Sequence, residues 1–219
     1  MSLLRYRAAS LLVILAAAVT AACDDAKPPE PNRPTDAAKS AATGGATTKP
    51  TAQPTETLTM EARALTKAFA AALKAELMKG MSQGGPAAAV KVCNTEAPTI
   101  ADDVDGAEGW KVGRTSLKLR NPKNAPDDWE REQLERFAED KAAGKSPDQL
   151  EASTIVEQGG TKTFRYMKAI PTAAMCLSCH GSDLATEVEA KLDELYPKDA
   201  ARGFSAGDLR GAFTLQKTL

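Results

Sequence analysis

Two cysteines and the single histidine of the chain lie within five consecutive positions, in the order Cys176-Leu177-Ser178-Cys179-His180. Thiols at this spacing can add to the two vinyl groups along one edge of a porphyrin, and the adjoining imidazole can then bind the iron from one face. The Cys-x-x-Cys-His pattern is typical of covalent attachment of a c-type haem. The sequence therefore predicts one covalent haem c, held through Cys176 and Cys179, with His180 as an axial iron ligand.

Two other kinds of site use the same residue types. A Cys-x-x-Cys redox pair normally sits at a helix N-terminus after a strand in a thioredoxin-like βαβ unit, and no βαβ pattern precedes Cys176. Zinc could be bound by a Cys₃His set, namely Cys93, Cys176, Cys179 and His180. Because adjacent Cys179 and His180 make a poor chelating pair for one small ion, we keep a zinc-stabilised periplasmic binding module without redox activity as the alternative.

The second axial ligand is not a histidine of this chain, because His180 is the only one. Met167 is one candidate, since a thioether side chain can bind haem iron. Cys93 is another. Its potential disulfide partners are used by haem and lipid, so it is either an inert buried thiol or an iron ligand. The residues alone leave these alternatives open.

The first 22 residues have the features of a bacterial export signal. Arg5 and Arg7 give a positively charged start, and an apolar run from Leu11 to Val19 follows. That run is shorter than the roughly 20 residues needed to span a bilayer. Residues 1–22 are therefore predicted to be a signal peptide of the lipoprotein type.

Cys23 stands at the predicted cleavage site, directly after Thr20-Ala21-Ala22. This stretch resembles a lipoprotein box in which threonine replaces the usual leucine, which leaves ordinary cleavage as the alternative. We expect Cys23 to be lipidated and to anchor the protein on the periplasmic side of a bacterial membrane. Asp24 slightly favours the inner membrane.

Residues 23–57 are predicted to form a disordered linker behind the lipid. Between Asp24 and Thr57 the chain has no valine, isoleucine, leucine, methionine or aromatic residue, and proline, alanine and threonine are frequent. Such a composition cannot bury a core and favours an extended chain. The folded domain is therefore expected to occupy residues 58–219.

Hydrophobic periodicity divides this domain into helices and strands. An apolar stripe from Leu58 to Leu77 predicts a helix that ends at Gly80 or at Gly84-Gly85, and Pro86 suits the first turn of a second helix. The further predicted elements are, in chain order, a strand at 110–119, a helix from Asp127-Asp128 to about Gly144, a hairpin of 153–157 and 161–170 around Gly159-Gly160, a short helix at 176–195 and a strand at 209–216. Helices followed by antiparallel strands with an inserted helix indicate an α+β domain.

Composition and charge narrow the class of protein further. The 219 residues are 42% hydrophobic and 26% charged, with a formal net charge of −1. These values exclude collagen, a coiled coil and full disorder. Because there is no basic excess, nucleic acid is not an expected partner.

A set of short motifs runs through residues 58–219. They are Val92-Cys93, Ala97-Pro98, Val112 to Pro122, Asn124, Pro126-Asp127, Trp129-Glu130, Cys176 to Gly181, Tyr196-Pro197, Asp199-Ala200, Gly207-Asp208 and Arg210-Gly211. Together they resemble the Tll-type haem c domain family. The resemblance implies a single α+β domain of PAS-like fold, an antiparallel sheet wrapped by helices. It also implies that the motif histidine and a distant cysteine bind the iron, and Cys93 matches that cysteine.

The family pattern says less about Arg114 and Arg120. A guanidinium group suits a haem propionate, so both are candidate propionate contacts, and surface salt bridges are the alternative. A Cys93 thiolate opposite His180 predicts a low reduction potential, which suits redox or gas sensing or electron transfer. We expect no enzymatic role and a redox or signalling protein of unknown identity as the partner. Pairing of two copies through the first helix, as in PAS-like sensors, is a further expectation.

Overall fold

Four strands form one antiparallel sheet: β1 (Trp110–Thr115), β2 (Glu151–Gln158), β3 (Thr161–Pro171) and β4 (Leu209–Thr218). Their order across the sheet is β1-β4-β3-β2. The last strand in sequence therefore lies inside the sheet, between β1 and β3. This arrangement brings the end of β1 and the start of β4 together at one corner of the domain.

A computed structural model describes residues 54–105 and 109–219, which fall within one compact unit. The predicted signal peptide, the lipidation site Cys23 and the linker up to residue 53 lie outside the described residues. Within the described part of the chain, no helix is long and apolar enough to cross a membrane. The predicted α+β class, with an antiparallel sheet and packed helices in a single domain, is confirmed.

The hairpin between β2 and β3 turns at Gly159 and Gly160, as the sequence predicts. Both glycines have positive φ, 59° and 80°. Two-residue hairpin turns of type I′ require positive φ at both positions, and glycine adopts it without strain. The turn sets the register in which Gln158 faces Thr161 and Glu151 faces Lys168.

Helix α1 (Pro54–Asp105) is interrupted at Gly84 and Gly85, where the backbone is not helical. The two parts fold against each other, because a Cβ atom on Gly80 would lie 3.1 Å from the Cα atom of Ala89. The predicted break before the second, alanine-rich helix is therefore found. The helix begins at Pro54, so residues 54–57, assigned above to the linker, belong to its first turn, where proline is tolerated.

Helix α2 (Asp128–Ala142) begins at a capping box. The side chain of Asp127 accepts a hydrogen bond from the Glu130 amide, and the Glu130 side chain accepts one from the Asp127 amide. These two bonds satisfy amides that have no partner within the helix. The start of α2 and its end near Gly144 agree with the sequence prediction.

The sheet buries both of its faces. Helix α2 covers one hydrophobic cluster, made of Leu134, Phe137, Leu150, Met167, Ala169 and Ala212. The first part of α1 covers the other, made of Ala62, Trp110, Phe164, Tyr166 and Leu215. Met167 is fully buried in the cluster under α2, whereas α1, which carries Cys93, lies on the opposite face.

Two predicted elements are shorter than expected. The predicted strand 110–119 ends at Thr115, because the Ser116 hydroxyl donates to the Arg210 carbonyl and accepts from the Lys118 amide, which turns the chain out of the ladder. The predicted helix 176–195 is divided into α3 (Leu177–His180) and α4 (Thr186–Leu195). Gly181 has extended backbone and ends α3 directly after the histidine.

Candidate functional site

The second part of α1 brings Cys93 to the Cys-x-x-Cys-His segment. It packs on α4, where Val90 joins a buried cluster with Val188 and Leu192, and the half-buried Cys179 borders the same cluster. The Cys179 thiol lies 3.9 Å from the Pro86 carbonyl oxygen at the start of this part of the helix. The packing of α1 on α4 thus determines the position of Cys93 relative to the Cys-x-x-Cys-His segment.

Three thiols share this region. Cys93, Cys176 and Cys179 are free and half-buried. Burial raises the pKa of the Cys179 thiol, and the neighbouring Cys93 and Cys176 raise it further, whereas Arg120 opposes the shift. Their mutual influence places the three sulfur atoms in one neighbourhood although Cys93 is far away in sequence.

The imidazole of His180 is held in one tautomer. Its Nδ1 atom lies 2.7 Å from the carbonyl oxygen of Ala201, so Nδ1 is assigned as the donor and Nε2 as the acceptor, with the Arg210 Nε atom 3.5 Å from Nε2. Burial, together with the positive charges of Arg210 and Arg120, lowers the pKa of His180 to about 3. The ring is therefore neutral at physiological pH, which is the form that binds a metal ion.

Arg120 stabilises the orientation of His180 through an ion pair and hydrogen bonds. It forms a buried ion pair with Asp199, with the Arg120 Nε atom 3.1 Å from Oδ1, and the two side chains are 10% and 1% exposed. The same guanidinium donates to the carbonyl oxygens of Cys179 and Ala201. Arg120 therefore fixes both the end of α3 and the carbonyl that orients His180.

The charge of Arg114 is not compensated. Among the described residues no carboxylate lies within ion-pair distance of it, and its guanidinium sits near Cys93 and Tyr196, 5.9 Å from the centre of the Phe69 ring. Burial lowers the pKa of Arg114, and the nearby Cys93 opposes that shift. A buried cation without an acidic partner is costly, so its side chain suits an anionic ligand.

Arg210 is a second, half-buried cation at the same corner. Its Nε atom lies 3.5 Å from His180 Nε2, and its Nη1 atom donates to the Ser116 hydroxyl and the Lys118 carbonyl. Burial, together with repulsion from Arg120 and Arg114, lowers the pKa of Arg210 to about 10. In the described part of the protein, Arg210 likewise has no carboxylate at ion-pair distance.

The structure gathers most of the predicted site residues at one corner of the domain. They are Cys93, Arg114, Arg120, Cys176, Cys179 and His180, whereas Met167 lies in the core under α2. Sequence reasoning assigned no role to Arg210, because it follows His180 by thirty residues and nothing in its spacing links it to the motif.

The zinc alternative requires four ligand atoms around one point. Within residues 54–105 and 109–219, no group of three or more histidine, cysteine, aspartate or glutamate side chains is arranged to hold a metal ion. The thiols and the imidazole therefore share a region without forming the tetrahedral set that zinc needs. This arrangement fits a larger group with separate attachment points for the thiols and for the imidazole.

Comparison with known proteins identifies the family. A family model described as Tll0287-like matches residues 46–217. The chain belongs to the Tll0287-like family. This confirms the resemblance drawn from the motifs. No curated protein matches the chain.

A solved member of similar structure supports the assignment to the Tll0287-like family. It is described as the crystal structure of the cyanobacterial heme-protein Tll0287, and it is 26% identical in sequence. The match covers 75% of this chain and 95% of that chain, with a TM-score of 0.51. The shared region thus includes almost the whole of that protein.

We expect the substitution Asp199→Asn to lower the free energy of unfolding by about 3 kcal/mol at pH 7, because it leaves the Arg120 charge buried and unpaired. Burial alone would raise the pKa of Asp199, but hydrogen bonds from Arg120 and Ala201 outweigh this effect and lower it. The unfolded chain therefore takes up this proton first as the pH falls. The difference between wild type and variant should be constant at neutral pH and shrink below about pH 4. Urea unfolding between pH 7 and pH 3 measures it.

Asp193→Asn is the matched control, because Asp193 is exposed and pairs with Arg202 at the surface. We expect it to change stability by less than about 1 kcal/mol. Equal losses for the two variants would contradict a structural role for the buried pair.

Proposed function

We propose that this protein is an exported c-type monohaem protein, anchored by a lipid on Cys23, that takes part in redox or gas sensing or in electron transfer. Cys176 and Cys179 would hold the haem by thioether bonds, and His180 would bind its iron. The observation that carries the proposal is a neutral, oriented imidazole directly beside the free thiols of the Cys176 and Cys179 segment, with the free Cys93 thiol in the same region. Membership of a family whose solved relative is described as a heme-protein supports the same conclusion.

When bound, the haem would supply a one-electron iron couple and two axial coordination positions. The protein itself would orient the side chains that bind the iron. The Ala201 carbonyl accepts the Nδ1 proton of His180, so the imidazole presents Nε2 and keeps its orientation. Arg120 and Asp199 hold that carbonyl in place.

Cys93 is our proposed second axial ligand. It lies on the same face of the sheet as Arg114 and near that guanidinium. Met167, the other candidate, is fully buried in the cluster under α2 on the opposite face. A thiolate donates charge, so the ferric state should be favoured and the reduction potential should be low.

Arg114 and Arg210 are our proposed contacts to the haem propionates. Both are half-buried cations without a carboxylate partner in the described part of the chain, and guanidinium groups bind carboxylates well. Arg120, which the sequence also offers as a propionate contact, already donates to Asp199 and to two carbonyl oxygens. We therefore assign Arg120 to positioning His180.

The choice between sensing and electron transfer depends on Cys93. In a sensor, Cys93 would take up a proton and leave its position on reduction, which would admit carbon monoxide or nitric oxide. In an electron carrier, Cys93 would stay in place, because a fixed ligand set lowers the reorganisation that accompanies each electron. Either role requires a redox or signalling protein as the partner, and an enzymatic role is not part of the proposal.

Covalent haem is the first test. Protein produced in a host that matures cytochromes should give a pyridine haemochrome of the c type, and haem should stay with the protein after acid-acetone extraction. The double substitution Cys176→Ala and Cys179→Ala should abolish this retention, whereas Cys93→Ala should keep it. Colourless wild-type protein with one equivalent of zinc would replace the proposal with the zinc-binding alternative.

Ligation by Cys93 is tested in the loaded protein. We expect Cys93→Ala to change the ferric absorption and electron paramagnetic resonance spectra and to raise the reduction potential, because a charge-donating thiolate is lost. Met167→Leu is the matched control and should leave both unchanged. An unchanged ferric spectrum in Cys93→Ala would remove Cys93 from the coordination sphere.

Carbon monoxide binding to the reduced wild type would favour sensing, and its absence would favour electron transfer.

The propionate contacts are tested through the potential. Replacing Arg210 by methionine removes a positive charge near the haem, so reduction should become less favourable by about 1 kcal/mol. Arg202→Met is the matched control, because Arg202 is already paired with Asp193 and Asp199. Equal potentials for Arg210→Met and wild type, measured by redox titration, would contradict the assignment of Arg210.

A further inference from the structure

A cleft of about 440 Å³ lies between the first part of α1 and the strands β2 and β3. Its volume is within the range of small-molecule sites in proteins, about 300–1,000 Å³. None of its residues belongs to the site around His180. They are Arg63, Thr66, Lys67 and Ala70 on α1, and Glu151, Tyr166 and Lys168 on the strands.

Helix and sheet geometry place these side chains on facing walls. The four residues on α1 follow the spacing i, i+3, i+4 and i+7, which is one face of a helix. On the sheet, Glu151 and Lys168 are directly opposite each other in the β2–β3 ladder. Tyr166 precedes Lys168 by two residues and so shares its face. The cleft thus has a helical wall and a sheet wall.

The only carboxylate among the residues that line the cleft, Glu151, already has hydrogen-bond partners within the protein at both of its oxygens. The Arg63 Nε atom lies 3.1 Å from each of its two oxygens, and the Tyr166 hydroxyl donates to Oε2 over 2.7 Å. These hydrogen bonds, with that from Arg63 the strongest, lower the pKa of Glu151. The pair of Arg63 and Glu151 is therefore a neutral, structured part of the cleft.

Two lysines that line the cleft, one on each wall, have no acidic partner in the described part of the chain. Lys67 on the helix and Lys168 on the sheet have no carboxylate at ion-pair distance among the described residues, although Glu151 influences Lys168 from nearby. Thr66 adds a separate observation. Its side-chain hydroxyl is buried and has no hydrogen-bond partner, although the residue lines the cleft. A buried hydroxyl without a partner costs free energy unless a ligand satisfies it.

We propose that this cleft binds a small organic dicarboxylate. Each carboxylate would meet one lysine, and the Thr66 hydroxyl would donate to one of them. Because the two lysines lie on different walls, we expect an anion with two separated carboxylates to be preferred over a single compact anion such as phosphate. Succinate has the two carboxylates and the small size that the cleft needs.

The test is calorimetric titration of the haem-loaded, full-length protein with succinate at low ionic strength. We expect saturable binding, with acetate and inorganic phosphate each at least about tenfold weaker, because each can reach only one lysine. Lys67→Ala and Lys168→Ala should each weaken succinate binding by about tenfold. The haem spectrum should not change in these variants.

Lys74→Ala is the matched control, because Lys74 lies two turns further along the same helix and outside the cleft. It should leave succinate binding unchanged. Thr66→Val tests the hydroxyl separately: it should weaken binding while raising the midpoint of thermal unfolding of the free protein, since it removes an unpaired buried polar group. No binding of succinate, phosphate as tight as succinate, or equal losses for Lys74→Ala and Lys67→Ala would each overturn the proposal.

Discussion

The ion pair between Arg120 and Asp199 is the interaction on which the site depends. Two charges are removed from water there, and this is tolerated only because every donor and acceptor around them finds a partner. Those partners are backbone carbonyls of Cys179 and Ala201, which lie in segments with no regular structure beyond one helical turn. The pair thus replaces the sheet and helix bonds that would otherwise hold this corner, and it fixes His180 through the Ala201 carbonyl.

Of the three arginines near His180, the one with a carboxylate partner stabilises the fold, and the two without such a partner are available to bind a ligand. Arg120 has its carboxylate and serves the fold. Arg114 and Arg210 are half-buried without one; they repel each other, and Arg210 also disfavours the protonated form of His180. A fold does not keep uncompensated charge away from water for stability.

The sequence predicts structural features that depend on neighbouring residues. It does not predict features that depend on contacts with distant segments of the chain. Gly159-Gly160 and the Asp127 cap were predictable because their chemistry is local. Residues 176–195 were predicted as one helix because local propensity does not reveal that Arg120 and Ala201 end the first turn at Gly181. Arg210 was missed for the same reason. The positions of Met167 and Cys93 on opposite faces follow from sheet topology, which spacing alone does not give.

The central position of β4 has a consequence for the order of folding. Until residues 209–218 are available, β1 has no strand to pair with and the β2–β3 hairpin has an open edge. A chain that emerges with its N-terminus first therefore cannot complete its sheet while its C-terminal part is still in transit, because these contacts are long in sequence. The corner that buries the thiols needs Arg210 and Ala201, which also arrive late. We therefore expect Cys93, Cys176 and Cys179 to stay more accessible to solvent until the final strand inserts.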